Sequence, residues 1–430
     1  MGVRKYVFNK DHMKEISLHN IRRLSSTFRW ILLACLVGSI AGFLGSSFFL
    51  LLKLITEYRM ENSWTLYFLP IGGIAIIALY HLIMKKPDKG TNLALDAIHF
   101  GARVPIRRIP LIYFATLITH FFGGSAGREG AALQMGASLG DGFSRIFHLK
   151  ESDKKILIIC SMSACFSAVF GTPLSASIFA MEVITVGVIY YVALVPCVVA
   201  SLISHGIAHY LFGISTEIYL VSKIPPMNIP NFLWTILLAG LCGLLSILFC
   251  VSLRFGRLLY KRCIKNDYLR AITGAILVIL LTLLVGNRDY NGAGLFVIER
   301  CFTDPDSISA FAFLLKIIFT VITLGAGFKG GEIVPSFFIG ACFGCLFGKI
   351  TGLETSLCSA IGMGSVFCGA TNAPIASLLI CFEIFGFEGM PYYLLAIAIS
   401  YNLSGYFGLY KSQKFAYSKY QAHYIDKSAC

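Results

Sequence analysis

The sequence is poor in charged residues, and this scarcity limits the classes of protein it can belong to. Only 13% of its 430 residues are charged, whereas 57% are hydrophobic. A composition this apolar excludes an ordinary soluble domain and indicates an all-α polytopic membrane protein. It also excludes a transmembrane barrel, because a barrel would show alternating segments of about ten residues in place of solid apolar runs.

The sequence also lacks any cysteine pattern that would form a metal site or a disulfide framework. Its 14 cysteines are scattered through apolar segments, without a CxxC pair or a paired cysteine and histidine spacing. We therefore expect reduced thiols that pack between helices, with no metal and no cofactor. A cleavable signal peptide is not apparent either, since the first apolar run begins near Trp30 behind a basic and polar arm.

Acidic residues are outnumbered, and the formal net charge is +14. The cations cluster in the first thirty residues, near Lys261–Lys265 and after Lys411. These are short flanks of apolar segments, where positive charge marks the cytoplasmic side of a membrane protein. We therefore expect a lipid bilayer and no nucleic acid as the partner, a multi-pass location in the cell membrane, and cytoplasmic termini.

Two matching blocks predict an internal repeat. Phenylalanine, proline and glutamate have the same spacing in Phe166–Glu182 and in Phe367–Glu383. A second match precedes each of these blocks, where Gly127–Gly130 in the first half resembles Gly330–Glu332 in the second. Glycine-broken apolar segments in corresponding places of two halves are typical of transporters that bind ions near the bilayer midplane. The predicted divisions are a cytoplasmic arm (1–29), a first membrane repeat (30–213), a second membrane repeat (232–410) and a short cytoplasmic tail (411–430).

The most informative segment places Arg128 and Glu129 among glycines within an apolar stretch of membrane-spanning length. A charge at that depth is costly unless it faces protein, a cavity or an ion, and a glycine-rich helix start attracts anions. The structural alternative is an ion pair between Arg128 and Glu129, but neighbouring side chains on a helix do not face one another. We therefore expect a free, functional Glu129. For Glu182 and Glu383, at helix ends, capping or interface pairing is the preferred interpretation.

A serine hydrolase is the enzymatic alternative, because Gly123–Gly127 formally matches GxSxG with Ser125 at its centre. That motif requires a strand–turn–helix context or a histidine base, and nothing in the sequence points to one. The same glycines serve an anion-binding loop equally well. We therefore expect that the protein is not an enzyme.

Gly127–Gly130 resembles the GREGP motif of the CLC family of anion channels and proton-coupled anion antiporters, with Ala131 in place of the proline. Gly330–Pro335 is similar to the family's GGIFAP segment, and Tyr410 lies where the family has its anion-contacting tyrosine. The resemblance implies an inverted repeat of two halves with broken and tilted helices, assembled as a homodimer with one pathway per subunit. It also implies that Glu129 is the gating glutamate, and that Tyr410 and the backbone around Ile333 line the central anion site.

Three departures from the chloride-handling members resemble the fluoride/proton antiporter branch. The region of the chloride-binding GSGIP loop is here Gly90–Ala94, which lacks the serine and the proline although Thr91 keeps a hydroxyl. Val183 stands where proton-coupled chloride members have an internal proton-transfer glutamate, and Glu332 adds a carboxylate to the central loop. The predicted function is proton-coupled fluoride export, and the alternative is a chloride channel or a chloride/proton antiporter on the same fold.

Fluoride is small and strongly hydrated, so its dehydration requires strong hydrogen-bond donors. A protonated Glu129 or Glu332 is such a donor, and two nearby carboxylates would favour retention of one proton. The rings of Phe337 and Phe338 could offer positive edges, although packing is the simpler role for at least one of them. The predicted gating and proton residues are Glu129 and Glu332, and the predicted anion-binding residues are Gly127, Arg128, Gly130, Thr91, Asn92, Ile333, Val334, Phe337, Phe338 and Tyr410.

Overall fold

The computed structural model of the protein describes residues 10–84 and 88–430, which form sixteen α-helices and one small β-sheet. The helices of the first half are α1 (Lys10–Glu61), α2 (Leu69–Ile83), α3 (Asn92–Phe100), α4 (Arg108–Phe121), α5 (Glu129–Ile146), α6 (Glu151–Phe170), α7 (Pro173–Glu182) and α8 (Leu194–Phe212). Those of the second half are α9 (Ile229–Cys263), α10 (Asp267–Val285), α11 (Leu295–Thr303), α12 (Ala312–Ala326), α13 (Ile333–Thr351), α14 (Thr355–Thr371), α15 (Pro374–Phe385) and α16 (Met390–Leu403).

The helices differ widely in length, as the glycine-broken apolar segments predict. Within the described residues, six helical segments are long and apolar enough to cross a membrane: Arg23–Glu61, Ser63–Ile83, Tyr191–Phe212, Ile229–Cys263, Asp267–Val285 and Ile333–Thr351. The apolar helices α12, α14 and α15 are shorter. The polytopic all-α class is confirmed, and all fourteen cysteines are free thiols, as expected.

The first helix does not stop at the predicted end of the cytoplasmic arm. Helix α1 runs unbroken from Lys10 to Glu61, so the backbone shows no joint near residue 30. Residues 1–9 of the arm lie outside the described part of the chain. The boundaries of the arm and of the two membrane repeats therefore stay predictions.

Corresponding helix pairs of the two halves pack through small residues. A Cβ on Gly136 of α5 would lie 2.5 Å from the Ser161 carbonyl oxygen of α6, so only glycine permits this approach. In the second half, Gly340 of α13 meets the Gly362 carbonyl of α14 in the same close manner. Close backbone contact through small residues is a common way of joining membrane helices, because lipid tails provide no hydrophobic drive between them. These close contacts fix the position of α5 against α6 and of α13 against α14.

The two halves are also joined by a reciprocal exchange of helix caps. The Glu182 carboxylate, at the end of α7, accepts hydrogen bonds from the Ile375 and Ala376 backbone N–H groups, at 3.1 and 2.8 Å. The Glu383 carboxylate, in α15, accepts from the Leu174 and Ser175 N–H groups at 2.9 and 2.8 Å. Each glutamate thus satisfies N–H groups in the first turn of the other helix. The prediction that these acids are caps or interface partners is confirmed.

The short tail contributes two of the three strands of the described chain, which the sequence did not predict. Strand β1 (Thr185–Val186) follows α7 and pairs in parallel with β2 (Lys414–Tyr417), which pairs antiparallel with β3 (Tyr424–Ser428). Next to this sheet, the buried Gln413 side chain donates to the Val183 and Thr371 carbonyl oxygens at 2.8 and 2.7 Å. The tail therefore ties the ends of α7 and α14 together and fixes the segment that carries Tyr410.

The reciprocal caps predict a measurable loss of stability. Glu383→Ala and Glu182→Ala should each lower the free energy of unfolding by about 1–2 kcal/mol, because each leaves two helix N–H groups without their carboxylate. Thermal unfolding of the detergent-solubilised protein measures this. Glu388→Ala, in the exposed turn before α16, is the matched control and should change little. Equal unfolding temperatures for all three variants and the parent would contradict the capping role.

Candidate functional site

Two glycine loops meet at the centre of the molecule. The Gly127 N–H donates to the Gly331 carbonyl oxygen and the Gly331 N–H donates to the Gly127 carbonyl oxygen, both at 2.7 Å. A Cβ on Gly130 would lie 2.8 Å from the Gly331 Cα, and one on Gly331 would lie 2.6 Å from the Gly130 nitrogen. Side chains at these positions would force the loops apart. The glycines are therefore required by close backbone contact between the two halves.

Helices α5 and α13 both begin within two residues of this contact. Two helix N-termini thus converge at one place, and the positive ends of their dipoles favour an anion. The pairing also fixes the register of the repeat, because Gly127 stands opposite Gly331. Glu332 consequently corresponds to Arg128, and the first helical residue Glu129 corresponds to Ile333.

Glu129 is completely buried at the start of α5. Its Oε1 atom accepts a hydrogen bond from Arg128 Nε at 3.2 Å, and its Oε2 atom accepts one from the Arg128 backbone N–H at 3.1 Å. The expectation that these neighbours would not pair is wrong. Arg128 precedes the first helical residue, so the spacing rule for side chains along a helix does not apply to it.

Arg128 has a second acidic partner that the sequence did not reveal. Its Nη2 atom donates to Glu217 Oε1 at 2.8 Å, and its guanidinium lies 4.4 Å from the centre of the Phe49 ring. Glu217 belongs to the segment between α8 and α9 and is about one-third exposed. A separation of 89 residues from Arg128 leaves no spacing signal for this pair.

Glu332 lies on the other side of the glycine contact. Its Oε2 atom is 3.7 Å from the position of a Cβ on Gly130, and its Oε1 atom accepts a hydrogen bond from Arg257 of α9. Glu332 is thus held in an ion pair with Arg257 in this conformation, and its expected role as a neutral donor stays a prediction. The available signal for Arg257 was its position, with Arg254, in the last three turns of a long apolar helix.

A cavity of about 770 Å³ reaches this centre and is lined by Thr91, Asn92, Glu332 and Tyr410. The buried Tyr410 hydroxyl has no hydrogen-bond partner among the described residues. Thr91 accepts a hydrogen bond from the Gln134 side chain at 3.3 Å, and Asn92 Oδ1 accepts one from the Ser412 N–H at 2.9 Å. The structure therefore brings four predicted site residues to one cavity and leaves one hydroxyl free to bind.

The other predicted residues of α13 are buried but face different surroundings. Ile333 and Val334 are fully buried in its first turn. The Phe337 ring packs between those of Phe170 and Phe367, at centroid distances of 5.4 and 4.8 Å. The Phe338 ring instead lies 5.0 Å from the ammonium of the buried Lys316. The two phenylalanines thus point into separate environments, and a common role at one ion is not what their packing favours.

Cationic side chains dominate the cavity wall. Six basic residues line it (Lys89, Arg257, Lys261, Lys265, Arg270 and Lys329), against three acidic ones (Asp88, Asp267 and Glu332). Asp88 is held by Arg108 and by Lys329, whose ammonium lies 2.9 Å away. Burial raises the pKa of Asp88, but these two cations outweigh burial and lower it to about 2. This pairing therefore persists at any pH above about 4.

Ser125 lacks the surroundings of a hydrolase nucleophile. Its buried hydroxyl shares a hydrogen bond of 3.1 Å with the Thr320 hydroxyl, and its N–H donates to Thr323 at 3.0 Å. Helices, and no strand, flank the glycine segment. The serine therefore attaches the loop to α12 through these two hydrogen bonds.

Comparison with known proteins agrees with this architecture. The family model described as voltage gated chloride channel matches residues 82–405. The chain belongs to the CLC family. A chloride/fluoride channel protein of Pseudomonas syringae pv. tomato is 34% identical over 91% of this chain and 88% of its own length. A proton/chloride exchange transporter of Vibrio parahaemolyticus is 28% identical over 85% of this chain and 84% of its own length.

Solved CLC structures share the fold. The crystal structure of a CLC-type fluoride/proton antiporter superposes with a TM-score of 0.87, at 31% identity over 90% of this chain and 98% of that one. A slow cyanobacterial chloride/proton antiporter gives a TM-score of 0.73, at 18% identity over 87% of this chain and 94% of that one. The predicted inverted repeat of broken helices is confirmed.

The glycine contact predicts that added volume is harmful. Gly130→Ala should lower the free energy of unfolding by about 1–3 kcal/mol, because its Cβ would overlap the Gly331 backbone. Thermal unfolding measures the change. Gly206→Ala in α8 is the matched control, because its Cβ would meet only Tyr210, at 4.0 Å. A Gly130 variant as stable as the control would show that the two loops are not tightly joined.

Proposed function

We propose that this protein is a proton-coupled fluoride exporter in which Glu129 is the gate. The observation that carries the proposal is the paired glycine contact, with the Glu129 carboxylate beside it and the partnerless Tyr410 hydroxyl on the cavity. In the proposed cycle, fluoride enters the cationic cavity and moves toward Tyr410 and the first turn of α13. Cationic walls raise the local anion concentration and so assist this step.

Glu129 and the anion then compete for the same donors. A charged carboxylate at the start of α5 repels fluoride and occupies N–H groups that could bind it. A proton from the outside neutralises Glu129, weakens its pairing with Arg128 and allows the side chain to leave. Fluoride can then pass, and the proton is carried inward when Glu129 returns and is discharged. Gly127, Arg128 and Gly130 form the narrow part of this proposed route.

Fluoride is favoured over chloride by the carboxylates at the contact. Glu332 places a second acid on the route, where its neutral form would donate a strong hydrogen bond to fluoride after separation from Arg257. Val183 cannot carry a proton, so the proposed proton route runs through these acids. The names of two similar proteins support this choice, since one is a chloride/fluoride channel protein and the other a fluoride/proton antiporter.

A chloride channel or chloride/proton antiporter is the second candidate. The observation in its favour is the Thr91 hydroxyl, which lies on the cavity at the start of α3 and resembles the serine hydroxyl of chloride-handling members. Thr91 and Asn92 are anion contacts in both cases. In either case the protein is a transporter with no catalytic step, and the buried Ser125 is not required as a nucleophile.

We further propose that it works in the cell membrane as a homodimer, with both termini in the cytoplasm. Lys261 at the end of α9 and Lys265 in the α9–α10 connection line the cavity, and the tail begins beside it at Ser412, whose N–H donates to Asn92. This placement of basic segments supports a cytoplasmic cavity. The dimer rests on the family resemblance. Under this orientation, the end of α1 near Glu61 and the segment between α8 and α9 face outward.

Ion flux from proteoliposomes tests the proposal. Purified protein in liposomes loaded with fluoride should release it much faster than chloride from matched liposomes, and an inward proton movement should accompany the release. An ion-selective electrode and an internal pH dye record the two ions. Empty liposomes give the background. Fluoride release no faster than chloride, or no proton movement, would refute proton-coupled fluoride export.

The gate has its own test. Glu129→Gln should abolish fluoride movement driven by a pH gradient, because the amide neither takes up nor releases a proton at neutral pH. Glu388→Gln, in an exposed turn, makes the same chemical change away from the site and should leave coupling intact. Coupling that survives in Glu129→Gln would mean that another residue is the gate.

A further inference from the structure

The guanidinium of Arg128 connects the buried Glu129 to a partly exposed acid, Glu217. Its Nε atom donates to Glu129 Oε1 at 3.2 Å, and its Nη2 atom donates to Glu217 Oε1 at 2.8 Å. Glu129 is completely buried, whereas the Glu217 side chain is 34% exposed. One cation therefore bridges a fully buried carboxylate and a partly exposed one.

Arg128 cannot easily turn toward either acid alone. Its guanidinium lies over the Phe49 ring at 4.4 Å, and its side chain is only 8% exposed. Arginine also stays protonated in proteins, so it supplies a fixed charge of +1 for two acids. Among the described residues, Glu129 forms no other ion pair. The charge on Glu217 must therefore affect how strongly the gate is held.

We propose that Glu217 is a positioning residue that shares Arg128 with the gating carboxylate and thereby sets the pH at which the gate opens. A charged Glu217 draws part of the guanidinium's attraction away from Glu129 and also repels the Glu129 carboxylate directly. Both effects make protonation of the gate easier. This inference rests on the proposed gating function of Glu129.

The other charged and titratable groups around this bridge do not replace Glu217. The Tyr219 hydroxyl donates to Glu217 Oε2 at 3.3 Å and so helps to hold that carboxylate in place. Glu332 faces Glu129 from the opposite loop, across Gly130, and is paired with Arg257. The remaining groups near the bridge are Tyr410, His120, Lys316, Arg59 and Glu299.

The dependence of fluoride flux on external pH distinguishes this role from one in which Glu217 only anchors the segment between α8 and α9. In Glu217→Gln, Arg128 should hold the charged gate more firmly, so the gate needs a more acidic solution to be protonated. When fluoride flux is plotted against external pH, the part of the curve where flux falls with rising pH should move to lower pH by on the order of half a unit. The number of protons moved per fluoride should not change. Glu388→Gln is the control and should keep the parent profile.

The second variant is a cysteine at position 217, to which a negative charge can be added chemically. Glu217→Cys should show the acid shift, and reaction with a negatively charged methanethiosulfonate should restore the parent profile, whereas a neutral methanethiosulfonate should not. The parent protein treated with both reagents controls for its 14 native cysteines. An unshifted Glu217→Gln, or equal effects of both reagents on Glu217→Cys, would overturn the role of Glu217. A parent protein that moves no protons with fluoride would instead overturn the proposed function.

Discussion

The antiparallel contact between Gly127 and Gly331 is the constraint on which the rest of the site depends. Its two short N–H···O bonds satisfy backbone groups that would otherwise be exposed in the bilayer interior, where no water can replace them. They also bring the starts of α5 and α13 together. Only glycine allows this approach, so the break in each helix and the meeting of the halves have the same cause.

Each acid at this contact has an arginine partner. Burying an acid is costly unless a partner compensates it, and here Glu129 lies beside Arg128 while Glu332 lies beside Arg257. Such pairs do not by themselves make a protein more stable. They do hold two carboxylates beside the glycine contact. The ion pair that compensates the buried charge of Glu129 is therefore the same interaction that the proposed gating cycle weakens.

Much of the architecture can be predicted from local patterns in the sequence. Long apolar runs indicate the membrane class, and the spacing of Pro173 and Pro374 reveals the repeat, because both are properties of neighbouring residues. The glutamates at the ends of the two repeat segments could be predicted as caps or interface partners for the same reason. The resemblance to the CLC family, carried by short motifs whose order and spacing match across nearly the whole chain, predicts Glu129 and Tyr410 as site residues.

The membrane class, the repeat and the charges of the two glycine loops follow from the sequence alone. Which charges meet depends on the tertiary structure. Arg128 pairs with Glu129 because it precedes the helix, and Glu217 and Arg257 reach their partners from segments 89 and 75 residues away. The small sheet that holds the tail joins strands that are still further apart in the sequence, since Thr185 lies opposite Lys414. Local periodicity carries no information about such pairs, because the folding of the whole chain sets the distance between them.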